Sequence, residues 1–262
     1  MTFEDFAHAH GLIFQGLVMG RWMSTPTEDH PHKRNGRYKW LGNVGWVQNW
    51  ATMEKPALWR GEGNIVTVLR QDNQEREQKA EQAASKAAWL LHQARLDTHP
   101  YLRAKGFPDE AGNVWEQKLV IPMRMNGRIA GAQLIDDQGV KKFLYGQKSK
   151  GASFVIDAKG VSIFCEGYAT GLSIRAAMKA MKVRYTIHVC FSASNVQTIA
   201  REVDGGIVVA DNDPNGIGVK AARDAGKPYW LSPTVGEDFN DFHQRVGLYQ
   251  ASASLKKALF NP

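Results

Sequence analysis

The chain has only two cysteines among its 262 residues, Cys165 and Cys190, and they stand far apart in separate apolar runs. No C-x-x-C pair is available to grip zinc, so a thiolate zinc ribbon is excluded and both thiols read as small buried residues. No stretch approaches the ~20 consecutive apolar residues of a membrane-spanning helix. The opening "MTFEDFAHAHGLIFQ" lacks the basic segment and following apolar run of an export signal. These absences predict a cytoplasmic protein with no membrane partner. There is no internal repeat and no low-complexity tract. The Gly-Lys of "DAGKP" (224 to 228) has Pro228 where a P-loop needs Ser or Thr and Ala221 where it needs Gly, so no nucleotide-driven motor is encoded. Ser192, Ser194 and His188 come without a nucleophile elbow and read as strand and helix-cap residues.

Hydrophobic residues make up 43% of the chain, enough for a globular protein with a real core. Lys and Arg number 33 against 26 Asp and Glu, giving a formal charge of +7 and a pI of about 9.4. That balance favours a polyanionic partner.

Residues 1–70 carry Trp22, Trp40, Trp46, Trp50 and Trp59 among glycines and basic residues, a pattern of short strands and turns. Aromatics interleaved with Arg and Lys suit stacking on single-stranded bases, and also suit a small tryptophan core. His8, His10, His30 and His32 are the candidate metal ligands there, without any thiolate, and surface turns are the simpler reading of them. From Gln71 to about Leu96 no Gly or Pro interrupts a run rich in Ala, Gln, Glu and Lys, which predicts a long helical linker over 71–97. In "KLVIPMRMNGRIAGAQLI", Asn126-Gly127 between two apolar runs predicts a hairpin, hence an antiparallel subdomain over 98–158. Beyond it "VSIFCE", "YTIHVCF", "GGIVVAD" and "PYWLSP" alternate with helical segments at 169–182, 195–203 and 216–225. This is the β-α-β-α pattern of a parallel sheet covered on both faces, expected over 159–250 and followed by a helical tail at 251–262.

Ligands of an open parallel sheet gather beyond the carboxyl ends of its strands. Three strands here end in acids: Glu166 in "VSIFCEG", Asp211 and Asp213 in "GIVVADND", and Asp238 and Asp241 in "TVGEDFNDF". Side-chain alternation brings Asp211 and Asp213 together if the strand continues, with Asn212 pointing away. Gly216 and Gly218 then allow the backbone to approach a phosphate. Clustered hard oxygens suit Mg²⁺ or Mn²⁺ and phosphoryl or nucleotidyl transfer. A polar turn is the competing reading of Asp-Asn-Asp-Pro-Asn-Gly.

"FCEGYATGLSI", "VVADNDPNGIGVKAA" and "GEDFNDF" resemble the Glu motif, the Asp-x-Asp motif and the trailing acidic motif of TOPRIM domains, and more narrowly those of phage- and plasmid-type primases. The resemblance implies a Rossmann-like parallel sheet preceded by a small antiparallel basic subdomain and a Trp-rich N-terminal region. It assigns Glu166, Asp211 and Asp213 as catalytic and metal-binding, with Asp238 and Asp241 as further metal ligands matched less tightly. Lys220 in "GVKAA" matches a basic residue that follows the acidic pair. "GRIAGAQLIDDQGVKKFLYGQKSKGASF" resembles the basic subdomain of those primases, which implies template or nucleotide contacts by Arg128, Lys142 and Lys148. The N-terminal region departs from replicative primases in having no zinc ribbon, so no zinc is expected. The implied activity is primer synthesis on single-stranded DNA from nucleoside triphosphates, with a separately encoded replicative helicase as partner. A TOPRIM nuclease and a non-catalytic single-strand-binding module are the alternatives.

Overall fold

The computed structural model describes every residue except Gln15, Ala158, Asn261 and Pro262. The chain forms two compact units, Met1–Gln78 and Lys79–Pro262.

In the first unit, helix α1 (Phe3–Ala9) starts at Thr2, whose hydroxyl accepts from the Asp5 amide while the Asp5 carboxylate accepts from the Thr2 amide. This reciprocal capping box satisfies two otherwise orphaned amides. A four-stranded antiparallel sheet follows in the order β1 (Trp22–Thr25), β2 (Gly36–Trp40), β3 (Val44–Asn49), β4 (Ala57–Arg60). Phe3, Ala7, Leu12, Tyr38 and Val47 form its core, with Trp40 and Trp59 packed against them. Gly45 is glycine because the Phe3 ring packs against the strand; a Cβ there would meet that ring. The tryptophans therefore divide: Trp40 and Trp59 help build the core, while Trp22 and Trp50 are exposed.

Helix α2 spans Ile65–Gln93, six residues earlier at its start than composition predicts, and the division between the units falls within it. The Asn64 side chain accepts from the Thr67 amide and acts as the N-cap, which lets the β-branched run Ile65-Val66-Thr67-Val68 be helical. In its second half, Ala83, Ala87 and Leu90 recur on one face and are buried.

The second unit holds two five-stranded sheets. The antiparallel one runs β5 (Arg95–Asp97), β6 (Gly112–Trp115), β7 (Lys118–Met125), β8 (Arg128–Ile135), β9 (Lys141–Phe143), with helix α3 (Pro100–Ala104) between β5 and β6. Asn126 and Gly127 both take positive φ, as a tight hairpin between β7 and β8 requires. Alternation along β7 sends Val120 toward α2 and sends Leu119, Ile121 and Met123 into the main core.

The other sheet has the order β10 (Phe154–Asp157), β12 (Tyr185–Val189), β11 (Val161–Cys165), β13 (Ile207–Ala210), β14 (Tyr229–Leu231). All pairs are parallel except β10 with β12, an antiparallel edge not anticipated from the sequence. Helices α4 (Tyr168–Ala180) and α7 (Phe239–Phe260) contribute Leu172, Phe239 and Leu255 to one face of the sheet. Helices α5 (Ala193–Glu202) and α6 (Ile217–Asp224) contribute Val196, Ile199 and Ala222 to the other. Apolar side chains on both faces explain why these strands read as continuous apolar runs. The mixed α/β architecture, with an antiparallel sheet ahead of a mostly parallel one and an N-terminal β-containing unit, is the fold expected from the sequence. Helix α7 starts well before residue 251, bends at Gly247, and buries Ala251 and Leu255 in the main core. Among the described residues, no helix is long and apolar enough to cross a membrane.

Candidate functional site

Three chain segments carry the acidic residues to the carboxyl edge of the parallel sheet. Strand β11 ends at Cys165, and Glu166 follows before Gly167 begins α4. The Glu166 carbonyl accepts from the Phe191 amide beyond β12, which fixes the backbone on either side of its carboxylate. Strand β13 ends at Ala210, with all four residues buried. It does not continue through the Asp-x-Asp segment. Instead the Gly216 amide donates to the Asp213 carbonyl across Pro214 and Asn215, so Asp213 opens a tight turn leading into α6. Asp211 and Asp213 are thus placed by loop geometry, not by strand alternation.

The two glycines have separate reasons. Gly216 caps α6 in the left-handed region with φ of +67°, and a Cβ there would meet nothing. Gly218 has an ordinary φ, but a Cβ on it would lie 2.5 Å from the Asp211 carbonyl oxygen. The close approach at Gly218 is thus between α6 and the chain's own backbone at Asp211.

Asn212 performs the unexpected work in this motif. Its side-chain amide donates to the Ser232 carbonyl at 2.9 Å, its backbone amide to the Glu237 carbonyl at 3.3 Å, and its carbonyl accepts from the Gly236 amide at 2.6 Å. These bonds tie the loop after β13 to the loop after β14 and bring Asp238 near Asp211. Glu237 is structural: its carboxylate accepts from Arg245 at 2.7 and 2.9 Å and from the Ser232 hydroxyl. The Arg245 bonds hold it below the usual carboxylate range. Asp238 accepts from the Asp241 amide at 2.8 Å at the start of α7, and Asp241 pairs with Lys105 at 3.3 Å.

Burial pushes the Asp211 carboxyl up to about 7, reinforced by the charges of Asp238, Glu166 and Asp213 and opposed by Lys141. Glu166 is likewise raised, first by burial and then by Asp213, while Lys141 and the Ala193 backbone amide favour its charged form. Glu166, Asp211, Asp213 and Asp238 therefore share one field, and Asp241 stands at its margin with Lys105. The buried Oδ1 of Asp211 has no hydrogen-bond partner. A buried carboxylate oxygen without a donor is costly, and a cation is the kind of group that satisfies it. Among the described residues no three His, Cys, Asp or Glu side chains are close enough together to form a metal-ligand group, the N-terminal histidines included.

Of the basic residues read from the sequence, Arg128, Lys142 and Lys148 are exposed, and Lys220 is exposed and paired with Asp224 at 2.9 Å one helical turn away. On β9, Lys142 stands opposite Leu134, which packs toward α2, whereas Lys141 stands opposite Ile135 of the main core. Alternation therefore turns Lys141, not Lys142, toward the acids. Its ammonium lies 6.0 Å from the Tyr101 ring, and the buried Tyr101 hydroxyl is itself unpartnered. Burial, with Asp238 next, pushes the Tyr101 phenol up. Two-residue periodicity along β9 could have singled out Lys141 in the sequence; Tyr101 carries no such signal.

Residues 161–248 match the Toprim domain family. The matched stretch runs from β11 into α7 and contains every acid just described. A crystal structure of a DNA primase domain from Pseudomonas aeruginosa is similar at 17% identity with a TM-score of 0.37, over 55% of this chain and 52% of that one. The chain thus spans about half the length of that structure. A search of curated proteins finds no match.

Proposed function

We propose that the protein is a DNA primase of the phage or plasmid type, joining nucleotides on a single-stranded DNA template with Mg²⁺ or Mn²⁺. The carrying observation is the buried, partnerless Oδ1 of Asp211 amid Glu166, Asp213 and Asp238 in a Toprim domain. In this reading Asp211 anchors the cation, and Asp213 and Asp238, with Asp241 behind them, draw in to complete its ligands as it binds. Glu166 holds it too or accepts the proton of the attacking 3′-hydroxyl, a role its raised carboxyl suits. A bound divalent cation supplies charge stabilisation at the attacking and leaving oxygens of the displacement. Lys141 offsets triphosphate charge beside the acids, and Lys220 does so at the start of α6. A replicative helicase is the proposed partner.

Primer synthesis from labelled nucleotides on single-stranded DNA, run beside a nuclease assay, tests this. Divalent-dependent incorporation without cleavage is expected. Cleavage alone would establish the nuclease alternative, and DNA binding with neither activity the non-catalytic one.

The charge distribution adds a prediction. The first unit carries nine Lys and Arg against nine Asp and Glu, so the whole excess of +7 belongs to the second. Single-stranded DNA affinity is expected to fall steeply with salt, and the Arg128→Ala, Lys142→Ala, Lys148→Ala triple variant to flatten the log–log slope by about 0.7 for each phosphate left without its cation. A slope equal to wild type in a titration by fluorescence anisotropy would remove these three from the interface.

A further inference from the structure

Beside Glu166 the second unit has a groove of about 480 Å³ that none of the acidic chemistry uses. Phe143 and Phe191 line it together with Lys150, Ser194 and Arg201. The two rings meet edge to face with centroids 6.2 Å apart, and Phe143 is 47% exposed. Lys150 and Arg201 are exposed, and the Arg201 guanidinium is steadied by the Asp224 carbonyl at 2.8 and 2.6 Å.

Phe191 has φ of +68°, a conformation that costs a bulky residue on the order of 1–2 kcal/mol and persists only where surrounding bonds dictate it. Those bonds are present. The Phe191 amide donates to the Glu166 carbonyl at 2.9 Å, and the Cys190 amide to the Cys165 carbonyl at 2.8 Å. The buried Asn195 side chain donates to the Cys190 carbonyl at 2.8 Å and the Ala152 carbonyl at 2.7 Å, and accepts from the Gly151 amide at 2.7 Å. Asn195 thereby locks the loop bearing Lys150 against the segment bearing Phe191. The Phe191 ring is itself buried in the main core, which offsets the strain, and its contact with Phe143 backs that exposed ring at the groove wall.

We infer that this groove seats a segment of single-stranded DNA, one base against the exposed Phe143 ring, which Phe191 backs, and the adjoining phosphates at Lys150 and Arg201. The inference rests on the nucleic-acid reading above and adds to it where the strand passes. A strand is favoured over a free nucleotide because sequence-tolerant strand binding combines stacking aromatics with flanking cations along an open channel. The excess of positive charge in this unit complements a polyanion.

The test is the affinity of the full chain for a fluorescein-labelled oligothymidylate by anisotropy, with melting temperatures recorded. Phe143→Ala, at an exposed ring, is expected to melt like wild type and bind about tenfold more weakly, the usual scale for removing one stacked ring. Lys150→Ala should reduce the salt slope by about 0.7. A Kd within twofold of wild type for Phe143→Ala would overturn the proposal. Full displacement of the oligonucleotide by equimolar nucleoside triphosphate would overturn it too, by assigning the groove to mononucleotides. Wild-type primer synthesis is measured in parallel. Synthesis with unchanged Phe143→Ala binding removes the groove alone, and no synthesis with weakened Phe143→Ala binding removes the primase reading alone.

Discussion

Asp211→Asn and Glu166→Gln are each expected to reduce nucleotide incorporation by more than about a hundredfold while leaving the fold and single-stranded DNA affinity close to wild type. Both substitutions keep side-chain size and remove a negative oxygen from a group of mutually repelling acids. If these acids hold the cation, losing one weakens an interaction worth several kcal/mol in the transition state. The same substitution at Asp211 should stabilise the metal-free protein, and the sign follows from proton linkage. The native carboxyl titrates near 7 and the unfolded one near 3.9, so between these values the native state holds a proton that the unfolded state has released. Stability therefore falls as pH rises from about 4 through 7. Above that window wild type bears the full cost of a buried charge, on the order of a few kcal/mol, and the Asn variant does not. Calorimetry in chelator at pH 8 should show Asp211→Asn melting above wild type, the gap closing near pH 4, and Mg²⁺ raising wild type more than the variant. Incorporation by both variants at near wild-type rates would reduce the acidic rim to a polar turn.

Gly218→Ala is expected to be the most damaging single-methyl change in the motif, and Gly216→Ala, two residues away, a mild one. At Gly218 the new Cβ would stand 2.5 Å from the Asp211 carbonyl oxygen and 3.2 Å from its amide nitrogen, both backbone atoms with no rotamer to yield. Helix α6 must move away from Asp211, at a cost of about 1–3 kcal/mol for overpacking and with Asp211 displaced in the process. At Gly216 the space is open, and only the left-handed φ is unfavourable, about 1 kcal/mol. Melting temperature and primer synthesis measured for both variants separate the two causes. Equal, mild effects would mean that α6 is free to move.

The strands of the parallel sheet were legible because burial on both faces leaves little but apolar residues in β11, β12 and β13. The hairpin at Asn126-Gly127 was legible because few residues accept two successive positive φ values. The start of α2 was not, since Val and Ile argue for strand and only the cap at Asn64 reverses that preference. Strand β10 was hidden by its length and by its partner, which lies more than 25 residues away in the chain. At the acidic edge, spacing pointed to Glu166, Asp211 and Asp213, but periodicity misjudged how the last two are held, because strand geometry stops at Ala210. Local pattern also could not foresee that Asn212 bonds across to residues 232–237, or that Phe191 takes a left-handed φ, since both depend on a neighbouring loop.

The position between the two aspartates is usually written as any residue. Here its amide group must present a donor to the Ser232 carbonyl, so a carboxylate in its place would turn oxygen against oxygen. Because Asn212 fastens the β13 and β14 loops into one piece, the spacing between Asp211 and Asp238 is settled as the chain folds. Any ion that binds there has to take these acids at the spacing the Asn212 bonds set, or break those bonds to change it.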